Sequence, residues 1–107
     1  MSEVADVTDA TFEQLVVKSP KPVMVDYWAD WCAPCRQLSP IVDELARAYG
    51  DKVTFCKLDT NANPQTPVQY GVLGLPTLQI WSGGELVNSM VGSKSKSALI
   101  KALADFL

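Results

Sequence analysis

The chain has 107 residues, enough for one domain that buries roughly two-thirds of its unfolded surface without staples. Hydrophobic residues make up 48% and charged residues 20%; 9 basic and 12 acidic side chains leave a net charge of −3 and form no basic stretch, which argues against nucleic acid as a partner. There are three cysteines and no histidine, so Cys-His proteolysis and any imidazole acid–base step are excluded.

The opening Met1-Ser2-Glu3-Val4-Ala5-Asp6 is acidic and reads as neither a signal nor a transit peptide. No apolar run approaches membrane-spanning length, so no membrane association is expected. The expected setting is a reducing, cytoplasmic compartment, where paired cysteines are catalytic or metal-binding rather than structural.

Residues 4–7 read as a short edge strand. Thr8 or Asp9 can cap a helix with Phe12, Leu15 and Val16 on one face, and Pro20 and Pro22 end it. Residues 23–29 are apolar at nearly every position, the pattern of a central strand covered on both faces. Asp26 interrupts that run. A carboxyl buried there resists ionising, so its pKa should rise, and it lies just upstream of a cysteine pair. It reads as the acceptor of the Cys35 proton; a structural Asp bonded to backbone or paired with a lysine is the alternative.

The strand runs into Trp31-Cys32-Ala33-Pro34-Cys35-Arg36, and a helical pattern runs out of it. Cysteines at i and i+3 on a first helical turn share a face, so their sulfurs can form a disulfide without unfolding anything. Cys32, at the helix start, feels unpaired N–H groups and the positive dipole end, which favour its thiolate. Cys35 is expected one turn deeper, with less solvent around it. Cys32 then attacks a partner's disulfide and Cys35 resolves the mixed disulfide. A zinc site would need two more ligands, and only Cys56 remains to supply one. An inert structural bridge would close almost no loop. A reversible dithiol is the favoured reading, with no metal and no bound cofactor.

The next helix carries an apolar stripe at Leu38, Ile41, Val42, Leu45 and Tyr49, with Gly50 as its C-cap. Pro40 inside it predicts a kink, which either sets the motif-bearing turn apart or is a tolerated bend. Residues 53–59 follow as a strand parallel to the first, through a right-handed crossover. Lys57 on it can approach Asp26, and Cys56 reads as a small core residue. A short helical turn ends at Gly71. Residues 78–81 and 85–91 form a hairpin through Gly83-Gly84, and a last helix capped by Ser95 runs to Leu107 with Leu99, Ile100, Leu103, Phe106 and Leu107 inward. The order β-α-β-α-β-α-β-β-α gives an α/β fold, helices on both faces of one mixed sheet.

Trp28-Ala29-Asp30-Trp31-Cys32-Ala33-Pro34-Cys35-Arg36, with Asp26, Lys57, Gly74-Leu75-Pro76-Thr77, Gly83-Gly84-Glu85 and Val91-Gly92, resembles the thioredoxin family over nearly the whole chain. The resemblance implies a thioredoxin fold, a central mixed five-stranded sheet flanked by about four helices, as one domain over 1–107. It implies catalytic roles for Cys32, Cys35, Asp26, Lys57 and Pro76, with Pro76 cis and opposite Cys32. It also implies a flat apolar docking surface of Trp31, Ala33, Pro34 and Gly74, continued by Leu75, Thr77, Val91 and Gly92.

Implied partners are disulfide-containing proteins and a thioredoxin reductase, NADPH- or ferredoxin-dependent, acting on a monomer. Alternatives are an oxidant or isomerase of the same fold, or a non-catalytic binding or clamp subunit. Four positions depart from the family pattern. Ala33 stands where Gly is usual, Arg36 where Lys is common and Trp81 where Phe is common; Cys56 is not a family signature.

Overall fold

A computed structural model describes residues 3–107; Met1 and Ser2, the first two positions of the expected domain and of the acidic opening stretch, lie outside the described residues. The sheet is built outward from β2 (Val23–Trp28), whose six residues are almost wholly buried. One side pairs parallel with β3 (Thr54–Asp59), the other antiparallel with β4 (Thr77–Ser82). The short strand β1 (Ala5–Asp6) and β5 (Glu85–Val91) form the two edges, giving five strands in the order β1-β3-β2-β4-β5. The expected thioredoxin fold is therefore present. Gly83 and Gly84 close the β4–β5 hairpin with φ of 59° and 83°, a left-handed pair that glycine adopts without a Cβ clash.

Strand alternation splits the core in two. Met24, Phe55, Leu78 and Ile80 face α1 (Ala33–Tyr49) and α3 (Lys96–Ala102). Val25, Tyr27, Cys56, Leu58 and Trp81 face the opposite way, against Phe12 and Val16. Asp26 lies between Val25 and Tyr27 in the alternation, so it shares the α1 face with Met24. Lys57 falls directly across from it in the parallel register.

Three expectations need correction: the form of the first helical segment, its cap, and the extent of the last helix. The first helical segment is a π-helix, Glu13–Val17, in which Lys18 N–H bonds Glu13 O at 2.9 Å. Its wider turn brings Val17 toward the core and leaves Leu15 47% exposed. Neither candidate caps this helix itself, whose N-cap position, Phe12, carries no side-chain bond; the Thr8 hydroxyl accepts from Thr11 N–H at 3.2 Å in the turn that leads into it. Gly50 does cap α1, but with right-handed φ of −62°; a Cβ there would meet the Ala46 carbonyl oxygen at 2.6 Å. The last helix stops at Ala102, and a 3-10 turn, Ala104–Phe106, carries the chain to Leu107. Leu99 and Leu103 are buried, while Ile100, Phe106 and Leu107 pack at the edge of the cluster. Ser95 caps α3 as expected, its hydroxyl accepting from Ala98 N–H at 3.2 Å.

Candidate active site

Cys32 is the N-cap of α1, with extended backbone (φ −94°, ψ 101°), and its Sγ accepts the Cys35 N–H at 3.2 Å. Ala33 and Pro34 fill the first helical positions, where a proline's missing N–H has no partner to lose. The two cysteines are joined as a disulfide, with Cα atoms 5.3 Å apart. The expected difference in depth is absent: Cys32 and Cys35 are each 4% exposed. What distinguishes them is their surroundings.

Cys35 lines a cavity of about 250 Å³, together with Asp26, Trp28, Arg36, Ser39 and Lys57. Asp26 is 5% exposed, and burial raises its pKa to about 7; Lys57 opposes the rise and Asp43 adds to it. Its Oδ1 and the Trp28 indole N–H are buried without a hydrogen-bond partner among the described residues. Lys57 is near enough to act on Asp26 through its charge but forms no ion pair with it; among the described residues the one ion pair is Lys96–Glu44 at 2.6 Å. Arg36 is held at the cavity rim, its Nη1 donating to Asp30 O at 2.6 Å. Cys56 is buried in the other cluster, and burial pushes its thiol up to about 12, consistent with a core role.

The Leu75–Pro76 peptide is cis, as the resemblance implied. Pro76 itself is buried, and its carbonyl accepts the Gly92 N–H at 2.8 Å. Ser93 reaches the Pro34 carbonyl at 3.5 Å, so three separate segments meet at the motif. Leu75 carries no backbone hydrogen bond among the described residues, which leaves its peptide groups able to pair with an extended chain. Trp31 is 69% and Val91 58% exposed, and Ala33 and Pro34 are exposed too. Gly74 is close to Val91: a Cβ there would lie 3.3 Å from Val91 Cγ1. Thr77 does not belong to this surface. It is 1% exposed, and its hydroxyl donates to Gly74 O at 2.6 Å, holding the loop from beneath.

Sequence reasoning missed a groove of about 230 Å³ between Trp31 and the wall formed by Pro67, Val72, Leu73, Gly74 and Leu75. Leu73 in that wall is 97% exposed and stands beside Trp31 at 69%, and contiguous exposed apolar side chains of this kind mark an interaction surface; Val68, 82% exposed, lies on the same segment. The Leu73-Gly74-Leu75-Pro76 run was the available signal: apolar residues in a loop with no periodicity to bury them. No group of metal-binding side chains occurs among the described residues, and no helix there is long and apolar enough to cross a membrane.

The family model described as Thioredoxin matches residues 3–105. The chain is 47% identical to Thioredoxin 1 of a Nostoc species over 107 residues, covering the whole of both. It is 50% identical to Thioredoxin of Pseudomonas aeruginosa over 100 residues, 92% of this chain and 93% of that one. It is 42% identical to Thioredoxin M2, chloroplastic, of Arabidopsis thaliana over 106 residues, 99% of this chain and 57% of that protein.

Proposed function

Because the chain belongs to the thioredoxin family and is a thiol–disulfide oxidoreductase that reduces protein disulfides, we propose how its residues divide that work. The Cys32 thiolate attacks one sulfur of a substrate disulfide, and the other substrate sulfur leaves as a thiolate. Cys35 gives its proton to ionised Asp26 and attacks Cys32 Sγ. The second substrate sulfur leaves, the Cys32–Cys35 bond forms, and two electrons have passed to the substrate. The bridged form described above corresponds to the end of that cycle.

The observation that carries the assignment is the shared cavity of Cys35 and Asp26, whose pKa of about 7 suits a base working near neutrality. Lys57, opposite Asp26 in the sheet, moderates that pKa. Trp31, Leu75, Val91 and Gly92 form the surface on which an extended substrate segment docks, with Pro76 holding the loop. The free peptide groups of Leu75 support this.

Disulfide-containing proteins are the substrates and a reductase returns the electrons. We further propose that this donor is an NADPH- or ferredoxin-dependent thioredoxin reductase. In this reading the protein is a single domain, works as a monomer and resides in the cytoplasm. The bacterial relatives matched along their full length support that setting.

Equilibration against a glutathione or dithiothreitol series tests the reading. A potential below about −250 mV, near the about −270 mV already known for thioredoxins, is the expected result. A potential above about −200 mV would make the protein an oxidant or isomerase and direct attention to Ala33.

A further inference from the structure

The segment before β2 holds none of the chemistry above, yet it grips the groove wall at both ends. Gln65 N–H donates to Asp9 Oδ2 at 3.1 Å. The Thr66 N–H and hydroxyl donate to Asp9 Oδ1 at 2.8 and 2.6 Å. Asp9 N–H in turn donates to Asn63 Oδ1 at 2.9 Å. These groups open α2 (Gln65–Gln69), a five-residue helix whose own N-cap, Pro64, offers no side-chain bond. A helix so short has no independent stability, so its placement is decided by what holds its ends. At its far end Tyr70 stacks on Phe12, with ring centroids 5.3 Å apart, and its carbonyl accepts the Gln79 side-chain amide at 3.1 Å.

The groove wall hangs from this helix. Pro67 belongs to α2, and its carbonyl accepts the Val72 N–H at 2.8 Å, turning the chain into Leu73-Gly74-Leu75. We propose that Asp9 is a positioning residue for the protein-disulfide reaction: by capping α2 from outside, it sets the Pro67–Leu75 wall against Trp31. This rests on the reading that the surface beside Trp31 docks protein substrates. Charge-assisted bonds from a carboxylate to helix-terminal N–H groups are among the stronger ones available, which suits a single residue holding a helix of five residues. Burial raises the Asp9 pKa, but the bonds from Thr66 and Gln65 outweigh it and leave the carboxyl below its ordinary value.

Steady-state reduction of insulin, a protein disulfide, and of dithionitrobenzoate, too small to need the groove, separates the possibilities. Asp9→Ala is expected to raise KM for insulin about tenfold while leaving kcat and the dithionitrobenzoate rate unchanged. Amide hydrogen exchange over residues 67–75 should quicken. Asp9→Asn, which keeps an acceptor for Thr66 N–H, should recover most of the loss. Thr66→Val removes only the hydroxyl bond and should move both readouts the same way, less far; it carries the test if Asp9→Ala does not fold.

Equal slowing of both substrates would reduce Asp9 to a general structural contact and overturn the proposal, as would unchanged exchange over 67–75. Leu73→Glu is the control on the groove. If it raises the insulin KM and the Asp9 and Thr66 variants do not, the positioning role fails. If Leu73→Glu also has no effect, the docking reading itself fails and takes the proposal with it.

Discussion

Asp26 ties the stability of the fold to pH as well as to catalysis. Its folded pKa of about 7 lies above the ordinary 3.8, so the folded chain holds this proton more tightly than the unfolded one. The associated stability is full below about pH 4 and is lost as pH rises through 7, by about 4 kcal/mol in all. Asp26→Asn should abolish that slope in urea titrations between pH 4 and 8 and leave the variant the more stable protein at pH 8. The same substitution should slow resolution of a mixed disulfide about tenfold or more near pH 7, read by stopped flow. A rate unchanged from pH 6 to 9 would remove Asp26 from the mechanism. Cys56, raised to about 12 and buried, should resist alkylation in the folded, reduced protein while Cys32 reacts, as peptide mass mapping would show.

The elements differ in how far sequence alone could place them. In α1 the stripe at Leu38, Val42 and Leu45 is long and periodic, and those residues are buried as expected. Leu45→Ala is expected to lower the unfolding free energy by about 2 to 5 kcal/mol. The segment before β2 has too few residues for its period to be read: an α-helical count turned Leu15 inward, and the π-helical turn turned it out. At the hairpin, Gly83 and Gly84 both sit at positive φ, so Gly84→Ala should cost about 1 to 2 kcal/mol in the same titration. Pro40 lies within a helix that continues from Ala33 to Tyr49. The packed face on both sides of it outweighs the one backbone bond it cannot make.

At the scale of the whole molecule, the sheet keeps two clusters apart. Leu45 belongs to the α1 side and Phe12 to the other, with β2 and its neighbours between them. Leu45→Ala and Phe12→Ala should therefore add to within about 0.5 kcal/mol in a double-mutant cycle; a larger coupling would mean that the sheet transmits strain between its faces. The site lies at the end of the sheet where β2 gives way to α1. Asp26 and Lys57 reach it from below, the cis-proline loop from one side and Gly92 from behind. No single stretch of chain contains it.

The sequence by itself determined the chemistry and the frame. Two cysteines at a strand-to-helix junction, an acid in an apolar strand and alternating patterns fix a dithiol site on an α/β sheet, because these depend on local spacing. Tertiary structure alone decided the rest. Pro76 and Thr77, where the loop enters β4, look available for docking in the sequence, but packing buries them and leaves Leu73 and Val68 outside. Cys32 and Cys35 differ in what surrounds them rather than in exposure, because the sheet brings Asp26 beneath only one of them. Asp9 reads as a local cap for its own helix, yet its carboxylate serves a helix 56 positions away. Such contacts arise when separate elements share a face, and a linear pattern carries no record of which distant N–H groups a folded carboxylate will meet.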